Sequence, residues 1–157
     1  MKKKRVVIIS LLLLLVSVIG ISSYFLFKDK INLLDVDHSA VDWNGKKQKD
    51  TSGEENTIAI PGFEKVTLYA NETKQAVNFH NPEINDCYFK ISLIHPDGSV
   101  LWISDLIEPG KGMYSIELEK TLAVGEYENA VLKYECFSLN DQSPLNGSEI
   151  NLKLVAV

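Results

Sequence analysis

The sequence predicts an all-β fold, an immunoglobulin-like antiparallel β-sandwich, preceded by one N-terminal transmembrane helix. An uncharged apolar run follows a basic start, and short β-rich runs separated by turn signals fill residues 58–157. No convincing stretch in that second region has a helical period, which is typical of a sandwich. An apolar content of 45% is that of an ordinary folded protein, and 157 residues leave room for one domain plus an appendage.

Residues 1–5 form a basic start that is expected to stay cytoplasmic, and residues 6–27 carry no charge. As a helix those 22 residues would be about 33 Å long, at about 1.5 Å per residue, and a bilayer core is about 30 Å thick. The alternative is a cleaved secretory signal, with small residues at Gly20, Ser22 and Ser23. The missing A-x-A triplet and the apolar residues 24–27 favour a transmembrane helix or signal-anchor. Either way, we expect the rest of the chain to be extracellular.

Residues 28–57 are predicted to be a flexible tether. Within them, residues 44–56 contain no apolar side chain, so this stretch has little surface to bury against the entropy of ordering. The extracytoplasmic β-sandwich domain is therefore expected to span residues 58–157.

The charge is strongly partitioned along the chain. Residues 1–27 hold four of the 16 cations and no acid, which leaves twelve cations against 21 acids, a net charge of −9, in the remainder. A domain this acidic lacks the basic surface that a phosphate backbone requires, so we expect no nucleic-acid partner. Adhesion of the domain by charge to an anionic lipid surface is unfavourable for the same reason.

Eight β-rich runs are predicted, and each is bounded by Gly, Pro, Asn or Asp. They are Ile58–Ile60, Lys65–Ala70, Gln75–His80, Cys87–His95, Val100–Ser104, Met113–Glu119, Tyr127–Leu139 and Ile150–Val157.

Asp97-Gly98 is a strong two-residue hairpin signal between two of these runs. The resulting register pairs His95 with Val100, Ile94 with Leu101 and Leu93 with Trp102. Because side chains alternate along a strand, Cys87, Phe89, Ile91 and Leu93 are expected on one apolar face with Trp102.

The chain has two cysteines, Cys87 and Cys136, and both are predicted to point inward. Cys136 alternates with the charged Lys133 and Glu135, as Leu132 and Tyr134 do. In an exported domain this favours a disulfide that joins the two sheets, with Trp102 packed near it. The alternative is a pair of buried free thiols, which behave as small apolar residues.

A set of segments resembles a group of small membrane-anchored exported proteins of Gram-positive Firmicutes, whose function is unknown. The segments are Asn81–Phe89, Asp97–Trp102, Leu106–Lys111, Gly125–Tyr127 and Lys133–Phe137. The resemblance implies a cell-surface setting and a sandwich, and it transfers no catalytic residue. Proteins of this group are sometimes labelled tRNA methyltransferase. The residues do not support that label, because Gly110-Lys111-Gly112 precedes a strand run and not the helix that nucleotide binding needs.

No catalytic, cofactor or metal site is predicted. His38 lies in the tether, and His80 and His95 stand at strand ends, where turn roles are commoner than metal ligation. The acidic residues alternate with apolar ones, as the outward positions of strands do. Tyr127, which follows Gly125, is predicted to be a corner tyrosine whose hydroxyl holds a loop. The loop at residues 140–147 is either a recognition loop or a tolerated surface excursion.

The sequence therefore favours a non-enzymatic, membrane-tethered cell-surface module that binds a protein in a surface, secretion or gene-transfer assembly. The alternative is a module that binds a small molecule, a sugar or a cation. A third possibility is an extracytoplasmic hydrolase whose residues only the fold would bring together. The expected partners are the membrane, through the N-terminal helix, and a protein; no cofactor is expected.

Overall fold

The computed structural model of the chain describes residues 33–45 and 58–157. The predicted basic start at residues 1–5, the predicted transmembrane helix at residues 6–27 and the tether residues 28–32 and 46–57 lie outside them. Within the described ranges, no helix is both long enough and apolar enough to cross a membrane. The described strands all belong to a compact unit that begins at Leu34 and ends at Val157.

Eight strands are present in the described residues: β1 (Val41–Asp42), β2 (Lys65–Leu68), β3 (Lys74–His80), β4 (Cys87–Ile94), β5 (Val100–Ile103), β6 (Lys111–Glu117), β7 (Gly125–Ser138) and β8 (Pro144–Ala156). Seven of the eight predicted runs are confirmed, with ends that differ by up to six residues. The largest difference is at β8, which begins at Pro144, so the loop predicted at residues 140–147 is wrong in its second half. Residues 58–60 form no strand. The Asn85 side chain bonds both backbone groups of Ala59, at 2.8 and 2.9 Å, in place of a neighbouring strand.

The strands form two sheets, which confirms the all-β, two-sheet prediction. A three-stranded sheet has the order β1-β6-β3, and a five-stranded sheet has the order β2-β8-β7-β4-β5. The expected antiparallel arrangement is wrong at one edge, where β2 runs parallel to β8 from Lys65↔Lys153 to Leu68↔Ala156. Edge strand β2 is short, as natural edge strands often are.

The core lies between the sheets, and strict alternation along β4 and β7 builds it. Phe89, Ile91 and Leu93 on β4 are fully buried, and so is Leu132 on β7. The two strands pair without interruption from Cys87↔Ser138 to Ile94↔Val131. Eight unbroken pairs fix which face of each strand is inward, because a slip by one residue would turn the apolar set to solvent.

The β4–β5 hairpin confirms the pairing of Leu93 with Trp102 but corrects the register at the turn. Ile94 pairs with Val100 and not with Leu101. Pro96 favours a type I turn, closed by a 2.8 Å bond from Gly98 N to His95 O, with Gly98 at φ 85°. A bulge at Leu101 restores the register, so both Leu101 and Trp102 are buried in the core.

Residues 34–43, called the strap here, were expected to be flexible tether but belong to the folded domain. Val36 bridges Leu106 in parallel, and β1 pairs with β6 at Val41↔Gly112. The strap therefore contacts a segment next to the five-stranded sheet and also completes the three-stranded sheet. Its apolar side chains are irregularly spaced and do not show a strand period along its whole length. The strap pairs because the backbone groups of Leu106 and of the edge of β6 need hydrogen-bond partners. The domain boundary predicted at Ile58 is thus displaced to Leu34.

Trp43 fixes the end of the strap on the three-stranded sheet. Its ring stacks on His80 with centroids 3.8 Å apart and an interplanar angle of 7°. Its Nε1 donates to Asn78 Oδ1 at 2.7 Å. Gly112 lies beneath this contact, and a Cβ there would come within 2.9 Å of the Phe79 carbonyl oxygen and of the Trp43 ring. Only glycine leaves room for so close an approach.

Candidate functional site

The three histidines lie on separate elements. His38 is exposed in the strap, and His80 is the last residue of β3 and is buried against Trp43. His95 begins the β4–β5 turn, with Nδ1 3.0 Å from the Asp97 carboxylate. Among the described side chains, no group of three or more His, Cys, Asp or Glu could hold a metal ion. The histidines therefore form no shared site.

The acidic residues from Glu108 onward lie on the surface, as the alternation of acidic and apolar residues predicted. Glu108, Glu117, Glu119, Glu126 and Glu128 are exposed, and Glu135 is half-buried. Lys153 Nζ lies 3.1 Å from Glu126 and 2.6 Å from Glu128. These carboxylates pair with a cation on the surface, where water and salt screen the interaction, so the pairs do not indicate a functional site.

The loop that joins β3 to β4 has a structural role. Asn81 Nδ2 donates to the carbonyl oxygens of Cys87 and Ile107, at 2.8 and 2.9 Å. Asn85 Nδ2 donates to Asn81 Oδ1 at 2.8 Å and holds Ala59. Both amides are buried. Buried amides in a satisfied network specify one arrangement of a core, so this motif secures the fold.

The cysteines point inward as predicted, but they do not join the two sheets. Cys87 on β4 and Cys136 on β7 lie on neighbouring strands of the same five-stranded sheet. Trp102 is not beside them either. It pairs with Leu93, six residues along β4 from Cys87 and thus about 20 Å away at about 3.3 Å per residue. Alternation predicted the face of each cysteine but gave no information on its sheet.

Tyr127 has the predicted corner role. Its hydroxyl donates to the Ala123 carbonyl oxygen at 2.8 Å, four residues upstream, and its ring lies edge-on to His95 with centroids 5.1 Å apart. Sequence reasoning missed a second loop contact, made by Tyr134, whose buried hydroxyl donates to the Pro61 carbonyl oxygen at 3.4 Å. Burial raises the pKa of Tyr134, so this hydroxyl stays protonated.

The strongest candidate for an interaction site is the solvent side of the five-stranded sheet, called the outer face here. Tyr88 lies directly opposite Phe137, and Ile94 lies opposite Val131. Ile103 on β5 extends the apolar surface and is 45% exposed. All five side chains point away from the core, because their positions alternate with buried ones.

Charged side chains divide the outer face into bands. Lys90 on β4 lies opposite Glu135 on β7, and Lys133 Nζ is 3.4 Å from the Glu135 carboxylate. These charges separate the Tyr88–Phe137 row from the Ile94–Val131 row. At strand spacings of about 4.8 Å and about 3.3 Å per residue, the rows and bands cover on the order of 300 Å². This footprint includes the charged bands, and the four residues of the rows are each half-buried, so the face is a mixed apolar and polar surface.

Sequence reasoning did not identify the outer face, although β4 carries a usable signal. In Tyr88-Phe89-Lys90-Ile91, apolar residues occur at both the odd-numbered and the even-numbered positions, that is, on both faces of the strand. A strand with one solvated face would instead alternate between apolar and polar residues. Apolar residues on the second face of a strand do not show whether that face is exposed or is buried like the first.

A shallow open depression of about 300 Å³ adjoins this face. It lies between β7 and β8, and its lining residues are Lys133, Tyr134, Glu135, Gly147, Ser148 and Glu149. Comparison with known proteins assigns no role to either feature: no family model, curated protein or solved structure matches the chain significantly.

Proposed function

We propose that this chain is a non-enzymatic, membrane-anchored cell-surface module that binds a partner protein through the outer face of its five-stranded sheet. The observation that carries the proposal is the pair of apolar rows, Tyr88–Phe137 and Ile94–Val131, on the solvent side of a folded sheet. Large apolar side chains on such a surface gain free energy when a partner removes them from water.

The chemistry of the face favours a protein over a small ligand. Aromatic and aliphatic side chains are spread over several strands and lie around Lys90, Lys133 and Glu135. A small ligand would need convergent polar groups in a concave pocket, whereas a protein can match a flat surface of alternating bands. The partner should therefore present an apolar patch that carries both signs of charge.

We also propose that the two-sheet domain is immunoglobulin-like, and its strand order supports this. In such domains, strands C, F and G form one sheet, and strands B and E lie in the other. Here β4, β7 and β8 are neighbours in one sheet, and β3 and β6 are neighbours in the other. The Tyr127 corner at the start of β7 also has its counterpart near the start of strand F.

Site-specific photo-crosslinking in cells of the native host tests the binding role. A photoreactive phenylalanine analogue at Phe137 or Tyr88 of the full chain should give one reproducible adduct. The same analogue at Ala76, which is exposed on the three-stranded sheet, should give none. Adduct formation from Phe137 should also fall at least tenfold when Lys90→Glu reverses the charge between the two rows.

Equal adducts from Ala76 and Phe137, or none from either outer-face position, would remove the support for this surface. The membrane part of the proposal is measured separately. The 17.6 kDa chain should remain with the membrane pellet after an alkaline wash and should keep its full mass. A shortened chain in the medium would instead indicate signal cleavage.

A further inference from the structure

Cys87 and Cys136 form a buried pair near one end of the five-stranded sheet. Cys87 is the first residue of β4 and lies opposite Ser138, and Cys136 lies opposite Phe89. The cysteines are therefore diagonal neighbours on the same inward face. Both are at most 2% exposed, and both are free thiols in the structure.

The spacing of a diagonal pair lies just outside the range of an ordinary disulfide. Diagonal neighbours in antiparallel sheets have Cα atoms about 7–8 Å apart, whereas disulfides usually join Cα atoms about 4.4–6.8 Å apart. Bond formation therefore requires the strands to move together by about 1 Å. The local structure permits this, because Cys87 stands at a strand end and the β7–β8 register is already irregular between Tyr134 and Cys136.

We propose that Cys87 and Cys136 form a reversible cross-strand disulfide within the five-stranded sheet. The oxidant is itself a disulfide, either a low-molecular-weight one or that of a thiol–disulfide oxidoreductase. The two cysteine thiols lose two protons and two electrons and form one S–S bond. The oxidant takes up the electrons, its own S–S bond breaks, and it leaves as two thiols. The inference does not depend on the outer face or its partner.

Cys87 is expected to attack first. The hydrogen bond with the Cys136 thiol lowers the pKa of Cys87, and the same interaction together with burial raises the pKa of Cys136. The Cys87 thiolate attacks one sulfur of the oxidant and forms a mixed disulfide, and the first thiolate leaves. Cys136 then loses its proton and attacks the Cys87 sulfur, which releases the second thiolate. Because both sulfurs are buried, the strand end must open for the first step.

The diagonal spacing predicts that the bond is labile. A disulfide that holds two strands closer than they otherwise lie is strained and therefore more easily reduced than an unstrained one. It should form readily under oxidising conditions and reopen in a glutathione buffer that leaves ordinary structural disulfides intact.

The test uses the full chain, purified in detergent and equilibrated in buffers of graded glutathione redox potential. After an acid quench, thiols are alkylated in denaturant and the intact mass is measured. The oxidised chain should take up no alkyl group, and the reduced chain should take up two. Oxidation should also raise Tm by about 5–15 °C. Cys87→Ala and Cys136→Ala should abolish this redox dependence of Tm, whatever their own stability.

A relocated pair provides the matched control. In the double variant Cys136→Ala/Ser138→Cys, the cysteines at 87 and 138 lie directly opposite, where Cα spacings of about 4.5–5.5 Å suit a disulfide. The disulfide between positions 87 and 138 should remain intact in a more reducing buffer than the native Cys87–Cys136 disulfide does. Two alkylated thiols in the native chain at every potential would overturn the proposal. A native bond as resistant to reduction as the relocated one would overturn its reversibility.

Discussion

The two sheets differ in how they are completed and in what they present to solvent. The five-stranded sheet is built around β4 and β7, whose pairing runs over eight residues without a break. The three-stranded sheet gains its edge strand β1 from the strap, which pairs with residues some 70 positions later in the chain. Lys74 lies opposite Glu117 on the smaller sheet, and exposed Ala76 lies opposite exposed Ser115.

The difference separates a surface that holds the domain together from a surface that is available to a partner. The three-stranded sheet carries two exposed large side chains, Val41 on β1 and Tyr114 on β6, and the Tyr114 hydroxyl is hydrogen-bonded to Asn44, next to the strap. On the outer face of the five-stranded sheet, a partner that covered the Tyr88–Phe137 row would remove apolar surface from water, which is favourable. Mutations at the strap should therefore affect stability, whereas mutations on the outer face should affect binding.

The largest stability effect is expected from Gly112→Ala. The new methyl group would lie 2.9 Å from the Phe79 carbonyl oxygen and from the Trp43 ring, so β6 or the strap must shift. We expect a loss of about 2–4 kcal/mol in the free energy of unfolding, measured by urea titration. Gly62→Ala is the control, because nothing lies within 4 Å of its Cβ position. Equal effects of the two substitutions would contradict the close approach of strap and sheet.

Trp43→Ala should cost somewhat less, about 2–3 kcal/mol. It removes the stacking on His80 and the 2.7 Å bond to Asn78, but the ring is only half-buried. Trp43→Phe should cost about 1 kcal/mol, since it keeps an aromatic ring and loses the donor. In Trp43→Ala, amide hydrogen exchange should become faster, relative to the native chain, in β1 and β6 more than in β7. If β7 exchanged equally fast, the strap would not be specific to the smaller sheet.

Tyr127→Phe tests the five-stranded sheet and should have a smaller effect. It removes one hydrogen bond, from the Tyr127 hydroxyl to the Ala123 carbonyl oxygen at 2.8 Å, and keeps the ring. We expect a loss of about 0.5–1 kcal/mol in thermal or chemical unfolding. A loss larger than that of Trp43→Ala would reverse the proposed order of the two regions.

The smallest effect concerns pH and the β4–β5 turn. Hydrogen bonds from the Ser99 hydroxyl and amide, with a further contribution from His95, hold the pKa of Asp97 well below its usual range. Because the pKa is lower in the folded state, this contribution is fully present above about pH 4 and is lost as the pH falls below that value. The decrease in Tm from pH 5 to pH 2 should therefore be smaller in Asp97→Asn than in the native chain. An identical decrease would show that this turn does not contribute.

Local patterns predicted most strands, because alternation and turn residues are encoded over a few neighbouring positions. Cys87, Phe89 and Leu93 were assigned to the correct face for this reason. Alternation does not identify the partner sheet, so the two cysteines were wrongly placed in opposite sheets. The bulge at Leu101 was also missed, since it depends on how the type I turn at Pro96 offsets one strand against the other.

The strap could not be predicted from its own residues. Val36 and Trp43 stand singly among polar neighbours, and their contacts lie on Leu106 and His80, far along the chain. Only the folded sheets create the edge that accepts them. The outer face was missed for a different reason, because a buried core and an exposed apolar patch give the same local signal on β4.

The position of the strap has a consequence for how the domain forms during synthesis. The strap precedes every other described strand in the chain, yet its partner β6 begins at Lys111, and the edge of the larger sheet needs β8 at the C-terminus. Contacts between such distant segments form slowly, because a long loop must close before any bond is gained. Folding therefore cannot proceed from the N-terminus strand by strand. The strap stays without its partner β6 until most of the chain has been made.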